Sequence, residues 1–246
     1  MVGPLNQLLL PFLSVVSMAE LQRNPTVKDE IAYAGKSSIS GLMMTYPVHQ
    51  AADILFCHGN VVPGGKDQLP HIEVARLIAR RMNNLYFEGE KFFSEPELLL
   101  SETPLLLGLD GRKMGKSLNN AIYIGMSAEE TANLIKGAKT DSEREITYDP
   151  VRRPEVANLL KLCALCSREA PESIAAAIGG KGSAELKRRL TESINEYFRA
   201  IRERRDYQKR HMDEVWAVLR EGVERANIVA SATLERVRGA MQMRYF

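Results

Sequence analysis

"NVVPGGKDQLPHIEVARLIARRMN", residues 60–83, changes texture twice along its length. Val61 and Val62 read as the end of a buried strand. Gly64 and Gly65 then permit a tight turn and a close backbone approach. Ile72, Ala75, Ile78, Ala79 and Met82 recur at helical spacing, while Arg76, Arg80 and Arg81 point elsewhere. A strand, a glycine turn and a helix predict an α/β arrangement. The helix start at the carboxyl edge of such a strand is a site for polar or anionic ligands. Asp67 offers an acceptor for a ribose hydroxyl, and Gln68 offers bonds to an amino acid or a sugar. Turns of this kind are common in α/β proteins, so the motif alone indicates a fold class and no ligand.

The segment before it, "TYPVHQAADILFCHGN" (45–60), carries helical spacing too. Pro47 suits a first helical turn. Tyr46, Gln50 and Asp53 then share one face, which continues to Cys57. Asp53 lies between Ala52 and Ile54 in a segment of buried character, and a buried carboxylate needs a donor. A ligand N–H and a structural backbone or arginine donor both satisfy that need. His71 follows Pro70 with no Ser or Asp at a telling spacing, so packing or a surface position is a simpler role than catalysis. His49, His58 and His211 have no recognisable partners in sequence.

The remaining chain sets the frame. Its 246 residues, 45% hydrophobic, suffice for a real core, and a net charge of +2 with a pI near 8.4 puts the weight on charge distribution. Three cysteines suit a reducing compartment. No apolar run reaches the ~18 residues of a membrane span. "MVGPLNQLLLPFLSVVSMAEL" lacks a basic start and is interrupted by Pro4, Gln7 and Pro11, which suggests a buried segment of a cytoplasmic protein. Residues 1–125 alternate short apolar runs with helical patterns, as an α/β domain does. Residues 126–246 are helical in pattern throughout. Ser127 with Glu130 has the form of a capping box. Cys163 and Cys166 fall on an apolar helix side and read as small hydrophobes. Long helices are expected at about 184–209 and 212–241. Ten basic residues between Lys181 and Arg210 are partly offset by five acids. They form either an RNA-contacting face or a solvated one with internal ion pairs.

"DGRKMGKSLNN" (110–120) places Lys113 and Lys116 around Met114-Gly115, followed by Ser117. Two ammonium groups on a glycine-containing loop can close over a polyphosphate, and Met114 offers a soft surface for a purine. A solvated lysine-rich turn has the same composition.

Context decides between them. Lys113–Ser117 resembles the KMSKS loop of class I aminoacyl-tRNA synthetases. "YPVHQAADI", "VVPGGKDQLPHIEVARLIARRMN" and "KTDSEREITYDPVRRPEVANLL" resemble, in order, blocks of the tryptophanyl-tRNA synthetase family, closest to its divergent second bacterial type. The resemblance spans roughly residues 1–240. It implies part of a Rossmann-type catalytic domain (1–125) followed by an all-helical anticodon-binding domain (126–246). It implies tryptophan held by Tyr46, Gln50, Asp53 and Gln68, with Asp53 on the indole N–H. It implies ATP held by Gly65, Asp67, Met114 and Ser117, with Lys113 and Lys116 as the catalytic charges on pyrophosphate. Mg²⁺ without identified protein ligands, tRNA(Trp) as partner and a homodimer are also implied. The segment Leu8–Val16 suits either the dimer interface or the core.

Gly115 stands where the family has Ser, and Gly64 and Lys66 stand for Val and Glu. The family's HIGH motif has no counterpart among these residues, so the expected ATP clamp lacks its second side here. A tyrosyl-tRNA synthetase shares the fold, although the "GGKDQLPHIE" block favours tryptophan. A shortened, non-catalytic binder of tRNA, tryptophan or a protein is the reading from another class.

Overall fold

The computed structural model describes residues 1–28, 39–101, 106–115 and 118–244. Packing divides the chain into two units, residues 1–104 with 216–246 and residues 105–215. The sequence pattern changes near residue 125. Packing instead groups the lysine loop with the helices that follow it, and returns the last helix to the first unit.

In the first unit, the short helices α1 (Gly3–Gln7), α2 (Leu9–Leu13) and α3 (Met18–Arg23) come before the long α4 (Gly41–Leu55). Leu8 and Phe12 are fully buried and Val15 nearly so, which gives this stretch a core role. Ser40 caps α4, its Oγ accepting the Met43 N–H at 3.2 Å. The helix therefore starts well before Pro47, which sits in its interior and not in its first turn. The missing N–H of Pro47 costs one helical bond. Its buried ring sits among Met44, Val48, Ala51, Ala52 and Leu55 on the apolar side of the helix.

Strand β1 (Val61–Pro63) leads through the glycine turn and a 3₁₀ turn at Lys66–Gln68 into α5 (Leu69–Tyr86). β2 (Glu97–Leu99) returns parallel to β1, pairing Val62 with Leu98. The expected apolar stripe of α5 is the core: Ile72, Ala75, Ile78, Ala79 and Met82 are at most 1% exposed. Each large aliphatic side chain so buried contributes about 1.5–3 kcal/mol. The strand expectation needs a correction. Val62 packs inward, but Val61 is 51% exposed. A pleated strand turns alternate residues to opposite faces, and in this two-stranded sheet only one face meets the core.

Two polar clamps hold the frame. Asn83 donates to Phe93 O and accepts its N–H, both at 2.9 Å. Arg81 grips Glu20 through both nitrogens at 2.7 and 3.0 Å. That contact, with the Ser17 N–H, holds the Glu20 carboxyl down at about 2.

The second unit is helical: α6 (Ala128–Lys136), α7 (Pro154–Ser167), α8 (Pro171–Ile178) and α9 (Ser183–Arg210). Both bonds of the Ser127–Glu130 capping box are present. Cys163 is fully buried among Leu159, Leu160 and Ile194, and burial pushes its thiol up. Cys166 is half-buried and pushed up to about 11 for the same reason. Both are packing residues in their neutral form. The last helix, α10 (Met212–Ala240), begins in this unit and buries Ala230, Leu234 and Val237 in the first. Among the described residues, no helix is long and apolar enough to cross a membrane.

Candidate active site

In the first unit, α4 meets the start of α5, and the meeting is polar. Tyr46 Oη lies 3.3 Å from His71 Nε2, and their rings pack edge to face with centroids 5.2 Å apart. One turn along α4, Gln50 Nε2 donates to Gln68 Oε1 at 3.0 Å. Gln68 Nε2 in turn donates to Asp67 Oδ2 at 3.1 Å. The phenol, both amides and the turn carboxylate are thus joined in two short chains. The turn is held by long-range bonds: Gly64 N–H donates to Leu99 O at 3.1 Å, and Thr26 Oγ1 to Asp67 O at 3.4 Å. A side chain on Gly64 would meet Leu98 Cδ1 at 3.1 Å and Gln68 Cγ at 3.4 Å, so glycine lets Gln68 sit close to the strand end.

Asp53 departs from expectation. Its side chain is 54% exposed, and His49 Nδ1 lies 3.7 Å from its Oδ2. It is not a buried carboxylate in need of a donor. Its flanking residues Ala52 and Ile54 are buried, but a helix gives neighbouring residues different surroundings. The structure therefore links Gln50, Gln68 and Asp67, pairs Tyr46 with His71, and leaves Asp53 open on the same helix. His71 is 3% exposed. Of the two simpler roles, packing or surface, it takes the packed one, and it also meets Tyr46 Oη, a partner that sequence spacing did not reveal.

In the second unit, the lysine loop is built as a clasp. Gly108 N–H donates to Arg112 O, and Leu107 bridges to Lys113 in antiparallel fashion. Asp110 and Asn120 close the ring. Asn120 Nδ2 donates to Asp110 Oδ1 at 2.9 Å and to Lys113 O at 3.0 Å. Its Oδ1 accepts the Gly115 N–H at 3.0 Å. The Asn120 amide, helped by the Arg112 N–H, holds the Asp110 carboxyl down at about 2. Two glycines make the closure possible. A Cβ on Gly108 would lie 2.2 Å from Asn120 Nδ2, and Gly111 has a φ of 80°.

The loop's base is fixed to α7. Asn158 accepts the Leu107 N–H and donates to Leu107 O, both at 3.1 Å. Arg153, 5% exposed, clamps Asp141 at 2.6 and 2.7 Å and donates to Glu145 O. Arg153 thereby holds the Asp141 carboxyl below its usual range. These bonds give Asp141 of "TDS", Arg153 of "RRP" and Asn158 of "NLL" a structural role in one segment. On the finished loop Lys113 is exposed and Met114 is 38% exposed. Lys116 and Ser117 lie outside the described residues. Asn120, 4% exposed, is the structural residue that motif reading passed over. The Asp110-Gly111 turn was its only local signal.

A family model described as "tRNA synthetases class I (W and Y)" matches residues 4–199. The tryptophan–tRNA ligase of Aquifex aeolicus is 40% identical over 80% of this chain, which spans 50% of that protein. That of Clostridium longisporum is 36% identical over 98% of this chain and 72% of its own length. The structure of the Campylobacter jejuni tryptophanyl-tRNA synthetase, complexed with ADP and tryptophan, superposes with a TM-score of 0.77. It is 30% identical over 98% of this chain and 74% of its own. The expected fold, part of a Rossmann-type α/β domain with a helical part, is the fold of that structure. On these matches the chain belongs to the class I tRNA synthetases of the tryptophan and tyrosine group, beside its tryptophan members.

Proposed function

We propose that this chain works as a tryptophan–tRNA ligase. The tryptophan carboxylate attacks the α-phosphorus of ATP, the bond to the β-phosphate breaks, and pyrophosphate leaves with the electron pair. The terminal ribose hydroxyl of tRNA(Trp) then attacks the acyl carbon of the adenylate. Its proton is lost and AMP departs. Neither step needs a covalent nucleophile from the protein, since positioning and charge supply the rate.

The observation that carries this reading is the polar junction of α4 and α5. Tyr46, Gln50 and Gln68 line one helix–helix corner, and Asp67 ends the bond chain at the glycine turn. That corner suits an amino acid on one side and a ribose on the other, with Gly65 beside Asp67. Asp53, open and ionisable on the same helix, is free to accept an indole N–H. Lys113, with Met114 beside it, offers charge to the leaving pyrophosphate, and Lys116 and Ser117 complete the motif in sequence. The described part of the loop does not suit Mg²⁺. Its one acid, Asp110, already accepts from Asn120 and Arg112 through both oxygens, so no step here runs through that ion. A homodimer, as in the resembling family, belongs to the same proposal, as does work in the cytoplasm.

Tryptophan-dependent exchange of label between pyrophosphate and ATP tests the ligase reading on the chain as it stands. Exchange that falls at least tenfold in Lys113→Ala supports it. Tighter binding of tyrosine than of tryptophan in calorimetry refutes the choice of amino acid. Unchanged tryptophan affinity in Asp53→Ala refutes the role of Asp53. Tryptophan binding without any exchange leaves the non-catalytic binder as the correct description.

A further inference from the structure

Most basic side chains of α9 are already engaged. Arg188 pairs with Glu185 at 2.6 Å and with Glu192, and Arg189 pairs with Glu169 at 2.8 Å. Arg199 lies between Glu196 and Glu203. Lys187 Nζ donates to Lys136 O at 3.0 Å, closing the end of α6. The solvated face with internal ion pairs therefore describes the first two-thirds of the helix. The last third differs. Arg204, Arg205 and Arg210 have no ion pair or hydrogen bond among the described residues.

A cleft of about 260 Å³ opens at this end of α9, lined by Gly125, Ser127, Glu130, Arg202, Arg205 and Lys209. The Arg205 guanidinium lies against the Gly125 backbone, where a Cβ would stand 3.3 Å from its Cζ. Arg202 is oriented by Asn195 Oδ1 at 2.8 Å and Thr131 Oγ1 at 2.9 Å, and it sits 5.7 Å over the Phe198 ring. Its buried Nε has no hydrogen-bond partner among the described residues. The two acids at the cleft have donors of their own. Glu130 accepts the Ser127 N–H at 2.7 Å, and Asp206 lies 3.6 Å from Lys209. Neither guanidinium has a carboxylate partner among the described residues. The volume is below the ~300–1,000 Å³ of small-molecule pockets, so the cleft suits one phosphate better than a whole nucleotide.

We infer that this cleft holds a backbone phosphate of RNA between Arg202 and Arg205, a contact that positions the strand without reading its bases. Arg204 and Arg210 extend the positive charge along the same end of the helix. The choice of RNA over other polyanions rests on the ligase reading. The geometry of the cleft does not.

The test is binding of a fluorescent tRNA transcript to the full chain across roughly 50–200 mM salt. Arg205→Gln should weaken binding roughly tenfold and flatten the log–log salt slope by about one. Arg205→Lys keeps the charge and should restore the slope while leaving affinity reduced. Arg188→Gln, which removes an ion-paired arginine, should change neither. An unchanged slope in Arg205→Gln overturns the inference, and so does an equal change in Arg188→Gln. Arg205-dependent binding to anionic phospholipid vesicles, with no such dependence for tRNA, overturns RNA as the source of the phosphate. Exchange of pyrophosphate needs no RNA, so a chain that binds tRNA in this manner without exchange fails the ligase reading alone.

Discussion

Replacing Asn120 with alanine removes three hydrogen bonds at once, and the loop that carries Lys113 should register the loss directly. Two of those bonds go to backbone groups, Lys113 O and the Gly115 N–H, both at 3.0 Å. Each is worth ~1 kcal/mol net, so the closed loop loses about 2 kcal/mol. That raises its opening constant about 30-fold. Amide hydrogen exchange at Gly115 measures the opening, because its acceptor is the Asn120 side chain itself. Asn120→Asp is the sharper variant. In the native loop the folded pKa of Asp110 is depressed to about 2. Its stabilising part is therefore complete above the ordinary value of 3.8 and is lost as pH falls towards about 2. With a second carboxylate at position 120 the pair must share a proton, which raises its folded pKa above the unfolded one. Loop protection in Asn120→Asp should then increase as the solution is acidified, opposite in sign to the native chain. Gly115 exchange within about twofold of native in Asn120→Ala, or the native pH trend in Asn120→Asp, would refute the clasp.

Three other outcomes follow from the same contacts. A double-mutant cycle with Tyr46→Phe and His71→Gln, read by thermal unfolding, should give a coupling of about 0.5–1.5 kcal/mol, and additivity would deny the hydrogen bond. Arg153→Met should destabilise the second unit by about 3 kcal/mol, since it strands Asp141 and three further acceptors, Glu143 O, Glu145 O and Thr147 Oγ1; urea unfolding followed by circular dichroism would show it. Glu20, held at about 2, contributes stability above its ordinary 4.5 that is lost as pH falls through about 2. After screening this amounts to about 1–2 kcal/mol. Glu20→Gln should remove that part of the acid dependence, and an unchanged acid transition would contradict it.

Local rules made much of the fold legible. The α5 stripe, the Ser127–Glu130 capping box and both long helices follow from spacing alone, because each depends on residues within a turn or two of one another. What failed depended on encounters between distant segments. Asp53 lies between two buried residues, yet its side chain projects from a more open side of α4. Pro47 looked like a helix start because the actual cap, Ser40, lies seven residues before it and is followed by Gly41, a poor helix former. Asn120 resembles any loop asparagine until the chain doubles back and brings Asp110 to its amide. Tyr46 and His71 belong to different helices, and only the crossing of those helices makes them partners. The motif residues of the candidate site were readable in advance, whereas the groups that hold them were not.

The return of α10 to the first unit has a consequence for how the chain is made. Thr233 Oγ1 bonds Phe56 O at 2.7 Å, and Ala230, Leu234 and Val237 complete a core whose other members precede residue 94. During synthesis, residues 105–215 emerge as an uninterrupted stretch and have all their packing partners at hand. The first unit does not: its early helices leave the ribosome long before the helix that seals them. Closing it is a contact of long sequence separation, and such contacts form slowly. The second unit is thus expected to mature first, with the corner between α4 and α5 gaining its final support only when the last helix arrives.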